Sequence, residues 1–180
     1  MQNRDRIQSV SVKNFGTIAN LQVEGLENIN LIIGENGTGK SFLLKALYAA
    51  MKTIEDYKRG EDVRTSVDIL SERLRWCFQT EKLGDLVKKG SSDGLSFEMK
   101  WVDSNSAYEF SYGFTDKTTV KVPNVKNEVA PLESNSIFIP AKEVLSLYNI
   151  ILKSREVDRS FGFDDTYYDL ARALRIVLQN

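Results

Sequence analysis

The sequence LIIGENGTGKS at residues 31–41 constrains the fold more than any other part of the chain. Within it, residues 34–41 fit the spacing G-x-x-x-x-G-K-S/T, which proteins use to join a β-strand to an α-helix through a loop that surrounds phosphate groups. The run INLII at 29–33 ends in continuous apolar residues, which predicts a strand buried on both faces. From residue 40 to about residue 54 the apolar residues repeat at helical spacing, so we expect an α/β fold organised around this loop.

The residue types of the loop indicate its chemistry. Gly34, Gly37 and Gly39 permit backbone angles that are closed to other residues and let the chain approach phosphate oxygens. Successive backbone N–H groups then face inward at the N-terminus of a helix, whose dipole favours negative charge. Lys40 is expected to contact the β- and γ-phosphates of a nucleoside triphosphate and carries the predicted catalytic role, while Ser41 is expected to offer its hydroxyl to Mg²⁺. The predicted nucleotide-binding residues are Gly34, Glu35, Asn36, Gly37, Thr38, Gly39, Lys40, Ser41 and Phe42.

Alternating apolar residues predict antiparallel strands before the loop. Val10 and Val12 alternate with polar neighbours, and Leu21 and Val23 do the same. The residues between them, 14–20, are predicted to form a turn. This pattern suits strands that have one face in the core and one in water.

A β-meander is predicted in the second half of the chain. The predicted elements are a break at 90–94, strands at 95–101, 108–114 and 120–122, a loop at 123–135 and a short strand at 136–140. Their aromatic residues are expected on the inner face of the sheet, with an exposed platform for nucleic-acid bases as the alternative. These residues are Trp101, Tyr108, Phe110, Tyr112 and Phe114.

Further helices are predicted at 65–79 and across the last forty residues, where apolar stripes run over 144–151 and 167–178. Cys77, on the first of these helices, is expected in the core. Asp164 or Asp165 is expected to cap the final helix, although with Asp169 they could instead bind a metal ion.

Composition excludes several kinds of chemistry. The chain has no histidine, which removes Ser/His and Cys/His nucleophilic pairs and histidine-based zinc sites. Its single cysteine excludes an internal disulfide and fits a reducing compartment. The net charge of −1 gives no overall basic field for nucleic acid, and no apolar run approaches the roughly 20 residues that span a bilayer. We therefore expect a cytoplasmic protein that makes no contact with membranes.

Two segments carry a resemblance to a known family. VSVKNFGTI at 10–18, followed by GLENINLIIGENGTGKS at 25–41, resembles the P-loop ATPases of the ABC, SMC, RecF and OLD group, and more narrowly their AAA-type bacterial members in overcoming-lysogenisation and anti-phage systems. SIFIPAKEVLSLY at 136–148 and FDDTYYDLARAL at 163–174 also look like segments of such proteins. The resemblance implies an ABC-ATPase-like fold that binds ATP with Mg²⁺ and serves DNA transactions or phage defence.

The resemblance also implies a division of the chain. Residues 1–140 would form the N-terminal lobe of the ATPase domain, with the meander at about 95–122 as an insertion. Residues 141–180 would begin a helical subdomain. A second copy of the chain, or a nuclease or other effector subunit, is the protein partner that such a domain implies. Nucleic acid is a further candidate partner, which the charge does not indicate.

The family pattern carries over to few residues outside the loop. Lys13, Asn14 and Phe15 stand where relatives place a turn near the adenine or its ribose, but Gly16 replaces the basic residue. The glutamine that contacts Mg²⁺ and the attacking water in relatives is replaced by the stretch Ala141, Lys142 and Glu143. Glu143 could substitute for it, although capping of the helix that it opens is the simpler role.

Other parts of the family pattern are absent from the sequence. Hydrolysis in this family needs four apolar residues followed by Asp and Glu, and the nearest candidates, TSVDIL at 65–70 and REVDRS at 155–160, lack the apolar run. The signature segment and the switch histidine are also absent. We therefore expect the N-terminal portion of a longer ATPase, with an incomplete core that hydrolyses ATP only when the missing segments complete it.

Two other functions stay open. The chain could be a non-enzymatic interaction module in which bound nucleotide stabilises a docking surface. Less in keeping with the strands before the loop, it could be a small-molecule kinase that uses Arg155, Arg159 and Arg172 as lid arginines. A basic strip formed by residues 82–90 with Arg73 and Arg75 could face DNA, but a solvated helix face is the simpler interpretation.

Overall fold

The computed structural model describes residues 6–102, 106–140 and 147–178. They form an α/β fold in which one five-stranded sheet is covered by two helices, with a second helix pair beside them. The elements are β1 (Arg6–Phe15), β2 (Ile18–Glu24), α1 (Lys40–Asp56), α2 (Ser66–Phe78), a short 3-10 turn (Leu83–Leu86), β3 (Leu95–Val102), β4 (Ala107–Phe114), β5 (Asn124–Asn127), α3 (Tyr148–Glu156) and α4 (Asp165–Leu178).

The sheet is antiparallel throughout, in the order β2-β1-β3-β4-β5. Val12 illustrates the register, because it lies opposite Leu21 of β2 on one side and Phe97 of β3 on the other. Alternate residues of the central strands are buried, which confirms the predicted strands and the inward-facing aromatic residues. The predicted turn at 14–20 is too long, since β1 continues to Phe15 and β2 already begins at Ile18. Since β3 pairs directly with β1, the meander continues the N-terminal sheet.

The third strand of the meander is displaced from its predicted position. The prediction placed it at 120–122, whereas β5 occupies Asn124–Asn127, inside the segment predicted to be a loop. The backbone before it is used elsewhere, because Thr118 and Thr119 accept hydrogen bonds from the 3-10 turn. Val122 is buried, as its apolar character suggests, but its N–H donates to Ser71 Oγ at 2.9 Å instead of to a neighbouring strand.

Helices α1 and α2 cover the apolar face of the sheet, at the predicted positions. Thr65 and Asp68 form a capping box, in which each side chain bonds the backbone N–H of the other residue, and this fixes the start of α2. Cys77 is fully buried, as predicted. Because α1 begins at Lys40, this packing holds the glycine-rich loop against one end of the sheet.

The segment 29–33 is not the buried strand that its apolar sequence predicts. Ile29, Leu31 and Ile33 are 91%, 85% and 81% exposed, and the segment has no ladder partner among the described residues. Asn30 closes a local bend at the start of this segment, because its Oδ1 accepts from the Glu27 N–H at 3.0 Å and its Nδ2 donates to the Glu27 carbonyl at 2.7 Å. A continuous apolar run indicates that a segment favours burial, but it does not specify which element packs against the segment.

Residues 136–140 differ from their prediction in a similar way. They form no strand; instead the backbone and side chain of Ser136 are bound by Glu55 of α1, and Phe138 packs edge-on against Tyr48 at 5.8 Å. A helix side chain thus holds this segment where a strand neighbour was expected.

The two C-terminal helices form a hairpin of their own. Asp164 accepts a hydrogen bond from the Thr166 N–H at 2.9 Å and so caps α4, as predicted. The alternative cap, Asp165, instead pairs with arginines. The predictions on residues 141–144 concern positions that lie outside the described residues. Over the described part of the chain, no helix is both long and apolar enough to cross a membrane.

Candidate functional site

The glycine-rich loop has the backbone that its sequence predicts. Gly37 and Gly39 have φ of 80° and 97°, in the left-handed region that favours glycine. Gly39 is the residue before α1, and its carbonyl accepts the first helical hydrogen bond, from the Leu43 N–H at 2.9 Å. The loop therefore leads directly into the N-terminus of a seventeen-residue helix.

Gly39 is also a point of close contact between the loop and the β1–β2 hairpin. A Cβ atom at this position would lie 2.7 Å from Ile18 Cγ1 and 2.9 Å from Thr17 Oγ1, which is closer than such atoms approach. The hairpin turn thus supports the loop from behind. Thr17 and Ile18 were not predicted as residues of this site; their only signal in the sequence was a turn placed before a second strand.

We expect Gly39→Ala to lower the free energy of unfolding by about 1–3 kcal/mol, because it forces a side chain into the left-handed region. Contact with Ile18 adds to this cost and shifts the loop. Gly37→Ala is the matched control, since it has positive φ but no atom within 4 Å of the added Cβ. Urea unfolding measures both variants, and equal losses would show that the contact with the hairpin is unimportant.

Lys40 lies across the loop. Its Nζ donates to the carbonyl of Gly34 at 2.7 Å and to that of Glu35 at 2.6 Å. Thr38 Oγ1 donates to the same Glu35 carbonyl at 2.9 Å. The ammonium group is therefore held inside the ring of backbone that the motif forms, beside an exposed surface.

The positive end of the α1 dipole is not neutralised by a nearby side chain. Its first turn contains no acidic residue, and no side chain caps it. Helices leave their first N–H groups unpaired and carry a partial positive charge at this end. Together with Lys40, this end of α1 presents donors and positive charge to solvent, which is an arrangement that attracts an anion.

The remaining predicted loop residues occupy different environments. Glu35, Asn36 and Ser41 are exposed at the mouth of the loop. Phe42 turns inward, where its ring packs against Phe15 at 6.0 Å and Phe78 at 5.0 Å. Any contact of Phe42 with a ligand would therefore involve its backbone N–H.

A cleft of about 710 Å³ adjoins the loop. It lies between β2, the segment 29–33 and α1, and its wall includes Thr38, Gly39 and Lys40. The rest of the lining is mainly apolar, from residues such as Leu21 and Leu43. Ligand clefts commonly have volumes of about 300–1,000 Å³ and mostly apolar linings, so this one is large enough for a nucleotide base and sugar.

The turn residues carried over from the family pattern do not reach this cleft with their side chains. Asn14 has φ of 52° and donates from Nδ2 to the Gly94 carbonyl at 3.2 Å. Phe15 is fully buried in the core, and Lys13 is exposed on β1. Their environments are those of residues that shape the hairpin.

Several other candidate residues serve the packing of helices. Arg73, considered for a DNA-facing strip, forms ion pairs with Asp56, Asp165 and Asp169. Arg155, considered as a lid arginine, lies with its guanidinium carbon 3.1 Å from the centre of the Trp76 ring. Among the described residues, no group of three or more His, Cys, Asp or Glu side chains could hold a metal ion.

A family model described as "AAA ATPase domain" matches residues 6–170. A Helicobacter pylori protein named ATP/GTP phosphatase is 50% identical over 42 residues, which are 23% of this chain and 11% of the relative. Uncharacterized protein MJECL10 of Methanocaldococcus jannaschii is 30% identical over 103 residues, 56% of this chain and 44% of the relative. The DNA replication and repair protein RecF of Lactococcus lactis is 30% identical over 84 residues, 47% and 21% respectively. The chain spans less than half the length of each of these relatives.

Two solved structures of the recombination mediator protein RecF in the RecFOR pathway are also similar. The one described with ATPrS has a TM-score of 0.49 and 21% identity, and covers 86% of this chain and 44% of its own. The one described with ATP has a TM-score of 0.48 and 18% identity, and covers 99% of this chain and 55% of its own.

Proposed function

The chain belongs to the family of AAA ATPase domains, and on that premise we propose that its glycine-rich loop binds the triphosphate of ATP together with Mg²⁺. One observation supports the proposal most directly. The Lys40 ammonium group lies on the loop backbone, beside an N-terminus of α1 that has no side-chain cap and no acidic residue in its first turn. Backbone N–H groups, the helix dipole and an ammonium group all favour a polyanion there.

The residues of the loop divide the work of binding. The backbone from Gly34 to Gly39 would surround the phosphates, and Lys40 would exchange its bonds to the loop carbonyls for bonds to phosphate oxygens. The apolar cleft beside β2 would take the base and sugar. Because the loop and the cleft are adjacent, one nucleotide could place its triphosphate in the loop and its base in the cleft.

Mg²⁺ fits this site as a partner of the nucleotide. Ser41 places an exposed hydroxyl at the start of α1, and the first turn lacks a carboxylate. One hydroxyl cannot hold the ion by itself, but Mg²⁺ commonly binds through substrate phosphates and water with one or two protein ligands. The ion would neutralise charge on the phosphates and orient them.

Hydrolysis is a separate matter from binding. The sequence contains no run of four apolar residues followed by Asp and Glu. We infer that these 180 residues bind ATP and hydrolyse it slowly or not at all, and that hydrolysis requires segments they lack. Service in DNA transactions or phage defence, and partnership with a second copy or an effector subunit, are the corresponding proposals for the whole protein.

The direct test is ligand-dependent stability. A ligand that binds only the folded protein, present at about 100 times its Kd, raises the free energy of unfolding by about 2.7 kcal/mol. We expect MgATP to raise the melting temperature, with a smaller rise for ATP in EDTA and none for adenosine. GTP in place of ATP measures the contribution of the base. No shift with MgATP at millimolar concentration would refute the proposal.

The interaction-module alternative keeps some support, because it too is consistent with a missing hydrolytic segment. The kinase alternative loses one of its three candidate lid residues, because Arg155 is stacked on Trp76 and paired with Asp165.

A further inference from the structure

Helices α3 and α4 have an apolar cluster of their own. Ile151, Leu152 and Ala171 are buried between them, surrounded by partly buried aromatic rings. The main core consists of side chains from the sheet, α1, α2 and their connections, and among the described residues no member belongs to both clusters. The attachment of the α3–α4 hairpin to the rest of the protein therefore depends on other contacts.

Two of those contacts come from α1. Lys45 Nζ lies 2.6 Å from Asp164 Oδ2, and it also donates to the Cys77 carbonyl at 3.0 Å. Tyr48 donates its hydroxyl hydrogen to Asp169 Oδ2 at 2.6 Å. Both residues lie within about three turns of Lys40 on the helix that begins at the glycine-rich loop.

Arg73 of α2 is the centre of the attachment. Its Nη1 lies 2.8 Å from Asp169 Oδ2 and 3.2 Å from Asp165 Oδ2, both on α4. Its Nη2 lies 2.6 Å from Asp56 Oδ2, at the end of α1. One guanidinium thus joins three helices through carboxylates, and its side chain is only 17% exposed.

Aromatic contacts complete the interface. The Arg155 guanidinium of α3 lies over the ring of Trp76 on α2, while its Nη2 lies 3.0 Å from Asp165 Oδ1 within the hairpin itself. Phe161, in the connection to α4, meets the Trp76 ring edge-on at 4.8 Å. The interface therefore contains few purely apolar contacts.

Burying the charged groups of this interface costs free energy of desolvation. Desolvation raises the pKa of Asp165 to about 6, even though Arg73 and Arg155 pull it down. Buried ion pairs gain little net free energy after desolvation, although they define geometry sharply. Regions with few buried apolar contacts are the ones that open before a protein unfolds as a whole.

We propose that the α3–α4 hairpin is a detachable unit, held on α1 and α2 by a charge latch formed by Lys45, Tyr48 and Arg73 with Asp164, Asp165 and Asp169. The hairpin opens as one body while the sheet, α1 and α2 stay folded. Opening exposes Lys45 and Arg73 and removes the three hairpin carboxylates that face them, while Arg73 keeps its pair with Asp56 of α1.

Native-state hydrogen exchange on the full chain tests the latch. We expect amides of α3 and α4 to exchange through an opening of lower free energy than amides of β1 and β3. Raising NaCl from 0.05 to 1 M, where the screening length falls to about 3 Å, is expected to speed exchange in α3 and α4 more than in β1 and β3, because salt stabilises the separated charges that opening exposes and acts less on the buried pairs of the closed state. This salt comparison needs no variant and so does not depend on a mutant folding.

Asp169→Asn sharpens the test, because it removes the charge that both Tyr48 and Arg73 contact while keeping the side chain's shape. Loss of a charge-assisted hydrogen bond, at about 1.5–3 kcal/mol, predicts exchange about 10- to 100-fold faster in α3 and α4 alone. Arg175→Met is the matched control on α4, since it breaks only the exposed pair with Glu156. The latch is refuted if the hairpin exchanges only together with the sheet, if its exchange does not respond to salt, or if both variants act alike.

Discussion

Replacing Lys40 with alanine is expected to weaken MgATP binding by at least about 100-fold. Hydrogen bonds to charged groups contribute about 1.5–3 kcal/mol each, so the loss of two bonds to phosphate costs about 3–6 kcal/mol of binding free energy. The free energy of unfolding without nucleotide should change little, because the bonds of Lys40 to the Gly34 and Glu35 carbonyls lie at the exposed surface. Isothermal titration calorimetry gives the affinity, and urea unfolding gives the stability.

Lys89→Ala is the matched control for this experiment. Lys89 is an exposed lysine outside the loop, so its loss removes one positive charge without touching the site. If Lys40→Ala bound MgATP as tightly as Lys89→Ala does, the glycine-rich loop would not be the phosphate site. If Lys40→Ala lost affinity but an effector partner still bound it, the interaction-module reading would gain support.

The second large effect is expected at Glu55, in the last turn of α1. Its carboxylate is fully buried, and Oε1 accepts from Ser136 N–H and Oγ at 2.7 Å each and from Ser134 Oγ at 3.1 Å. Oε2 lies 3.1 Å from Lys52 Nζ, an ion pair with a lysine that is itself only 6% exposed. Glu55→Ala would leave that ammonium buried without its counter-charge, so we expect a loss of about 3–5 kcal/mol in the free energy of unfolding.

Two companion variants show whether the buried charge is the cause. Replacing both partners, as Lys52→Met with Glu55→Leu, should recover the part of the loss that comes from the uncompensated charge, but not the part that comes from the hydrogen bonds of Ser134 and Ser136 to Glu55. Glu98→Ala is the control, since its pair with Lys100 is 3.6 Å long and exposed, and such pairs contribute about 0–1 kcal/mol. If urea unfolding gave Glu55→Ala a free energy of unfolding within about 1 kcal/mol of that of the native protein, the buried charge would not have the expected effect.

The sequence predicts those elements that depend on local pattern. The loop, α1 and α2 are well predicted, because glycine spacing and the helical repeat of apolar residues both act over a few residues. Strands β3 and β4 are predicted for the same reason, by their alternation of apolar and polar residues. Their pairing with β1 is a long-range choice that alternation does not specify.

The wrong predictions share a cause, which is that contacts made by particular side chains determine the structure where local pattern does not. Segment 29–33 and residues 136–140 have strand-like composition, yet side chains of Asn30 and Glu55 decide their conformations. The polar contacts of Arg73 were equally hidden, because its three carboxylate partners lie 17 to 96 positions away in sequence. For the site itself, the sequence predicts which residues surround the ligand, whereas the support from Ile18 requires knowledge of the packing.

The order of strands has a consequence for synthesis of the protein on the ribosome. The loop and α1 leave the ribosome before β3 and β4, yet those later strands complete the sheet on which α1 rests. At about 5–20 residues per second, several seconds pass between translation of Ser41 and that of Phe114. Throughout that interval the nascent chain carries the glycine-rich loop without β3 and β4, so we expect the loop to reach its folded conformation only after those strands have been made.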